Sequence, residues 1–215
     1  MERYINSIIN DNCITVMSNI QDNYFNHIIT DIPYDVVNRK NNGMRNLDKG
    51  EADILNFDLE IFLNESIRIS KDKIFIFCSS EQVSYIYNYF SSKSLFVNMA
   101  IWEKSNPSPM NGQYLWLSGV ECCVIAERTQ SILGVPIWNF SVGRSKEHPT
   151  EKPSKLLEHI IETYTKIDDH IYDPCFGSGS TLIASAKLSR RFFGTELSNE
   201  YFKLAEQKLS NLNHL

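Results

Sequence analysis

The chain has 215 residues and 24.8 kDa, with 42% hydrophobic and 22% charged residues. That is enough for one α/β domain burying about 70% of its unfolded surface, without a metal or disulfide staple. A net charge of −5 and a pI near 5.6 argue against nucleic-acid binding by bulk electrostatics, which needs clustered Lys and Arg, and leave local patches such as Arg39, Lys40, Arg45 and Lys49 to supply phosphate contacts.

Five cysteines, Cys13, Cys78, Cys122, Cys123 and Cys175, are odd in number and lack C-x-x-C spacing, which reads as free thiols in a reducing, cytoplasmic setting. No apolar run reaches membrane-span length, and Met1-Glu2-Arg3-Tyr4 is not organised as a signal peptide.

In chain order, Tyr4 to Ile9 reads as a short strand, followed by the turn residues Asn10-Asp11-Asn12 and a short helix or turn from Val16 to Asn23. Ile28-Ile29-Thr30 is an apolar, β-branched strand delivering Asp31-Ile32-Pro33-Tyr34 to its carboxyl end, where open α/β sheets bind ligands. Residues 35–57 are polar, without hydrophobic period, and read as a mobile loop over a pocket. A helix is expected over Phe57–Ser70, a strand over Lys73–Cys78, a helix over Glu81–Phe90 and strands over Leu95–Trp102 and Gly119–Ala126. Residues 127–152 read as irregular. Pro153 opens a helix, followed by a strand at Ile171–Asp173, a helix at Ser180–Leu188, a strand at Arg191–Glu196 and a closing helix at Asn199–Leu209. Strands alternating with helices predict an α/β fold with a largely parallel core and a single domain over 1–215.

Two stretches carry chemistry. In Asp31-Ile32-Pro33-Tyr34, the acid and a backbone carbonyl near Pro33 can accept both protons of an exocyclic amine, and Tyr34 offers a face for a planar base. The same four residues also read as an Asx-type turn with ordinary packing. In Asp173-Pro174-Cys175-Phe176-Gly177-Ser178-Gly179-Ser180-Thr181, a glycine turn between strand and helix brings backbone amides close to a ligand. A second strand then ends in Glu196, where a carboxylate would meet a ribose diol. Alone, Glu196 reads equally as a helix cap; the whole constellation describes a nucleoside site. No cluster has metal-ligand spacing.

Together the two stretches resemble S-adenosylmethionine-dependent DNA amino-methyltransferases, the adenine-N6/cytosine-N4 type. Asp31-Ile32-Pro33-Tyr34 is similar to that family's D-P-P-Y motif, and Asp173 to Gly179 to its D-P-F-x-G-S-G motif. His148-Pro149-Thr150-Glu151-Lys152-Pro153 resembles its H-P-T-x-K-P element, Gly194-Thr195-Glu196-Leu197 with Tyr201 its G-x-E-L-x-x-x-Y, Asn10-Asp11-Asn12-Cys13 its G-D-C element, and Trp102 with Lys104 its W-x-K strand end. Trp102 reads equally as a core aromatic. The order, catalytic motif first and cofactor motif late, matches the permuted β group.

The resemblance implies a Rossmann-like class I methyltransferase fold: a seven-stranded mixed sheet with helices on both faces. It implies Asp31, Pro33 and Tyr34 as catalytic residues and S-adenosyl-L-methionine as cofactor. Asp11, Asp31, Thr150, Lys152, Asp173, Phe176, Gly177, Gly179, Thr181 and Glu196 would surround that cofactor, with Thr150 and Lys152 over its methionine end and no metal. It further implies methylation of a flipped-out adenine in double-stranded DNA as part of restriction-modification, with cytosine-N4 methylation or a non-catalytic partner subunit as alternatives. Ile32 in place of the first proline is expected to loosen the loop. Only about 127–147 remains for a target-recognition region, so a homodimer or a separate specificity subunit is expected to help read DNA.

Overall fold

The computed structural model describes residues 4–34, 57–107, 119–131, 136–143 and 151–212. Its strands are β1 (Ser7–Asn10), β2 (Phe25–Asp31), β3 (Ser70–Cys78), β4 (Phe96–Lys104), β5 (Val120–Glu127), β6 (Ile137–Phe140), β7 (His170–Asp173) and β8 (Arg191–Glu196). Its helices are α1 (Cys13–Met17), α2 (Leu59–Ile69), α3 (Ser80–Ser92), α4 (Ser154–Tyr164), α5 (Ser180–Lys187) and α6 (Asn199–Leu212). All the strands join one sheet in the order β1-β8-β7-β2-β3-β5-β4-β6. The run from β1 to β3 is parallel, β5 is antiparallel to β3 and β4, and β6 is parallel to β4.

The central strands are buried at most positions because both faces of the sheet are covered, as parallel sheets require. Side chains alternate across a strand, and the two cores follow that alternation. Ile28, Ile74, Ile76, Val124 and Tyr172 pack against α1, α2 and α3. Ile29, Phe75, Phe77, Ile125 and Ile171 pack against α4 and α5. A third cluster, Phe176, Leu182, Phe192 and Ala205, seats α5 and α6 beside β8.

Local capping sets the helix starts. Asn12, read from sequence as turn chemistry, accepts the amides of Ile14 at 2.9 Å and Thr15 at 3.4 Å, so α1 begins at Cys13, three residues earlier than the apolar pattern suggests. Asp58 caps α2 the same way through Glu60 N at 2.8 Å and Ile61 N at 3.1 Å.

The expected seven strands are eight. The addition is β6, inside the stretch read as irregular, which pairs residue for residue from Ile101↔Ile137 to Lys104↔Phe140. It is four residues long between Pro136 and Gly143, and Trp138 is its one buried residue, which leaves almost no period to read. The expected loop over 35–57 falls, except for Phe57, outside the described residues, as do 132–135 and 144–147 of the expected recognition region.

Parallel order fixes where chemistry can occur. β1, β8, β7 and β2 are consecutive in the sheet and end in Asn10, Glu196, Asp173 and Asp31. Four strands thus deliver four polar residues to a single carboxyl edge.

Candidate active site

Asp31 closes β2, and the chain continues the β2–β3 ladder one step further: Ile32 N–H donates to the Phe77 carbonyl at 3.2 Å. Proline could not make that bond. The Ile32 side chain is 1% exposed, and the next carbonyl, Pro33 O, accepts from Gln82 Nε2 at 3.1 Å. Gln82 is itself fixed at the start of α3, where its Oε1 accepts Ser79 N–H at 3.0 Å. The departure from D-P-P-Y therefore leaves the loop held rather than loosened. Pro33 O retains a second lone pair.

Tyr34 turns back so that its hydroxyl donates to Asp31 Oδ1 at 2.9 Å. Asp31 Oδ2 is bonded by the Lys152 ammonium. Lys152 is also paired with Glu121 Oε2 at 2.9 Å, and Glu121 Oε1 with Lys104 at 2.7 Å. Two acids and two lysines thus form one interlaced, charge-balanced cluster beside Tyr34, with Lys152 only 7% exposed. Burial lifts the Asp31 carboxyl above its usual range against the pull of Lys152. Burial acts on Glu121 likewise, but Lys152 and Lys104 together hold it below the ordinary carboxylate value. Lys152 is raised by its two carboxylates in spite of burial.

The second centre adjoins the first. Thr30, one residue before Asp31, donates its hydroxyl to Asp173 Oδ1 at 2.8 Å, joining the ends of β2 and β7. Asp173 also accepts Cys175 N–H at 3.1 Å and is bonded by Thr181. Its burial, only partly offset by these donors, pushes it up to about 7. The chain then turns through Gly177 (φ 54°) and Gly179 (φ 85°) into α5. Both angles favour glycine, and a Cβ on Gly179 would lie 2.9 Å from that of Ala205.

Glu196 is held by two amides, Gly177 N–H on Oε2 and Ser198 N–H on Oε1, each at 2.8 Å. Burial raises it while those amides oppose the rise. Asn10 ties β1 to the same spot by donating to the carbonyls of Glu196 (2.7 Å) and Leu197 (3.1 Å). Asp11, exposed, emerges at that edge and accepts Asn12 N–H at 2.7 Å.

The structure thus gathers Asp31, Pro33 and Tyr34 into one centre, and Asp173, Gly177, Gly179, Thr181 and Glu196 into an adjoining one. Phe176 and Lys152, also expected around the cofactor, make the following contacts. Phe176 is buried in the α5–α6 core, so close to β8 that a Cβ on Gly194 would lie 2.5 Å from its ring. Lys152 is paired with Asp31 and Glu121. Thr150 lies outside the described residues.

Trp102 is a core aromatic, 2% exposed, whose Nε1 donates to Phe140 O at 2.8 Å. Sequence reasoning missed Gln82, Thr30, Glu151 and Glu121. Glu151 Oε1 accepts the hydroxyls of Ser178 (2.8 Å) and Ser180 (2.7 Å), so adjacent Glu151 and Lys152 brace the two centres separately. The available signal for Glu121 was an acid opening an otherwise apolar strand, but its place at the active edge follows only once β5 is known to run antiparallel.

The DNA methylase family model, which describes N6 and N4 enzymes, matches residues 126–207. The type II methyltransferase M2.MboI of Moraxella bovis is 30% identical over 241 residues, covering 94% of this chain and 86% of that protein. The chain belongs to the N6/N4 DNA methylase family. M2.DpnII of Streptococcus pneumoniae is also 30% identical, over 54% of this chain and 52% of its own length. The solved M1.HpyAVI–SAM complex superposes with a TM-score of 0.74 at 25% identity, covering 94% of this chain and 98% of that one.

The methylase uses S-adenosylmethionine, and its residues suit that cofactor. Both Glu196 oxygens are fixed by amides yet each keeps a lone pair for a ribose hydroxyl, and the glycine turn brings its backbone to the same edge. Among the described residues, no group of three or more His, Cys, Asp or Glu is placed to hold a metal, and no helix is long and apolar enough to cross a membrane.

Proposed function

We propose that this methylase modifies the N6 amine of adenine in double-stranded DNA, on a base turned out of the helix. The observation that carries the reading is Asp31, fixed at the carboxyl edge by the Ile32 ladder bond, with Tyr34 beside it and the Asp173 turn hydrogen-bonded to its neighbour Thr30. An acid at the first motif position is typical of the adenine enzymes the chain resembles.

Bound S-adenosylmethionine supplies a methyl group on a positively charged sulfur. Asp31 accepts one proton of the target amine and a backbone carbonyl of the Ile32–Pro33 segment accepts the other. Both bonds favour the pyramidal nitrogen whose lone pair attacks, which stabilises the transition state more than the ground state. Tyr34 releases Asp31 and stacks on the base, which cannot reach the pocket while paired in a duplex. Glu196, the Gly177–Gly179 turn, Asp173, Thr181 and Asp11 hold the cofactor. Phe176 adds support from beneath, through the α5–α6 core.

We assign one domain to the chain, with 127–147 as a reduced recognition region whose described part includes β6. That short region favours a homodimer or a separate specificity subunit for sequence readout. Five free thiols suit a cytoplasmic protein.

The deciding experiment is methyl transfer from labelled S-adenosylmethionine to unmethylated duplex DNA, followed by nucleoside mass spectrometry, with Asp31→Ala as control. N6-methyladenine that disappears in the variant supports the reading. N4-methylcytosine transfers it to the cytosine alternative, and cofactor binding without any DNA product favours a partner subunit.

A further inference from the structure

One carboxylate of the ion-pair cluster comes from neither the Asp31–Tyr34 loop nor the glycine turn. Glu121 stands at the start of β5, 20% exposed at its side chain. It accepts from Lys104 at 2.7 Å on Oε1 and from Lys152 at 2.9 Å on Oε2, with the Tyr34 hydroxyl 3.4 Å from Oε2. Both Asp31 oxygens are meanwhile occupied, Oδ1 by Tyr34 and Oδ2 by Lys152. A target amine has to compete with these donors for Asp31. An ammonium paired with Asp31 alone would have to be stripped bare, which is costly for a buried charge. One that already shares a second carboxylate can lean toward it.

We propose that Glu121 is a positioning residue for methyl transfer: as second counter-ion of Lys152 and second acceptor for Tyr34, it frees Asp31 to take the protons of the target amine. In the step it serves, the amine lone pair forms the N–C bond while the S–CH3 bond breaks, its electron pair going to sulfur. The surplus N–H proton passes to Asp31 and then to solvent. While Asp31 is neutral, Lys152 keeps its charge partner on Glu121. The groups facing Glu121 are Lys104 of β4, Lys152 ahead of α4, Asp31 at the end of β2, Tyr34 beyond it and the adjoining Cys122. The inference deepens the methyl-transfer reading and rests on it.

The test is Glu121→Gln in the full chain. The kcat falls roughly tenfold or more, while the KM for DNA and the Kd for S-adenosylmethionine change by less than about threefold. The acid limb of kcat moves to lower pH, because Lys152 then pairs with Asp31 alone and holds it ionised. Carbon-13 titration of the Asp31 carboxyl in the cofactor-free protein reads the same shift without turnover. Lys104→Met is the opposite perturbation: Glu121 is left wholly to Lys152, and the Asp31 midpoint rises. It also serves if Glu121→Gln does not fold. An Asp31 midpoint that moves in neither variant overturns the proposal, as does a kcat loss with an unmoved acid limb. If the parent methylates no DNA, the functional reading falls, and the carboxyl titration still decides the role of Glu121.

Discussion

Replacing Lys152 by Met removes the cation shared by Asp31 and Glu121 and leaves two carboxylates facing each other with only Lys104 to compensate. Deleting one partner of a buried ion pair costs about 3–5 kcal/mol. Here Lys152 is 7% exposed but Asp31 is 32% and Glu121 20% exposed at the side chain, so solvent recovers part of that cost and about 2–3 kcal/mol is expected. For a chain of this length the loss corresponds to a fall in Tm of roughly 4–12 °C. The deficit depends on pH. Without the ammonium, the folded-state pKa of the facing acids rises above its unfolded value, so the folded variant binds more protons than the unfolded one in the weakly acidic range. Its stability then increases as pH falls. The parent behaves oppositely at Glu121, whose lowered pKa stabilises the fold above the ordinary carboxylate value and is lost on acidification. Urea unfolding at pH 8 and pH 5 should therefore show a gap that narrows on acidification. It should also narrow in the double variant Lys152→Met/Glu121→Gln, where one unpaired charge has gone. A pH-independent gap, or one below about 0.5 kcal/mol, would refute the reasoning.

Two further perturbations probe each centre. Ile32→Pro restores the family's D-P-P-Y but removes the bond to Phe77 O and part of a buried side chain, so a loss of about 1–3 kcal/mol is expected; unchanged or increased stability in urea unfolding would contradict the view that the loop is held by that bond. Asp173, pushed up to about 7 by burial from the ordinary carboxyl value of 3.8, takes up a proton in the folded state before it does so unfolded. It therefore adds stability as pH falls from 8 to 5, on the order of 3 kcal/mol, and Asp173→Asn should lack this increment. Equal pH dependence in parent and variant would count against it.

Much of this arrangement was legible in the chain because its signals are local. Residues 74–78 are apolar without alternation, which marks a strand buried on both faces, and the glycine turn announces its own backbone geometry. The parts that were hidden depend on partners remote in sequence. The pairing of Lys152 with Asp31, 121 residues away, is visible only once α4 and β2 are in place. Gln82 looks like an ordinary helix residue until its reach to Pro33 O is seen. Phe176 belongs to a cofactor-like motif, yet the absence of a side chain at Gly194 opens a seat for its ring in the core. β6 escaped because four residues with one buried side chain leave almost no pattern to detect.

We propose a division of labour in which Asp31 serves the chemistry while the Asp173–Glu196 edge serves the cofactor. The most direct measurement is single-turnover methyl transfer by Asp31→Asn with DNA and S-adenosylmethionine saturating, alongside the cofactor Kd. The expected rate is roughly 10²–10³ times slower, the scale for losing one preorganised transition-state contact, with the Kd changed less than about threefold. A rate within threefold of the parent, or a loss explained by weakened cofactor binding, would contradict it.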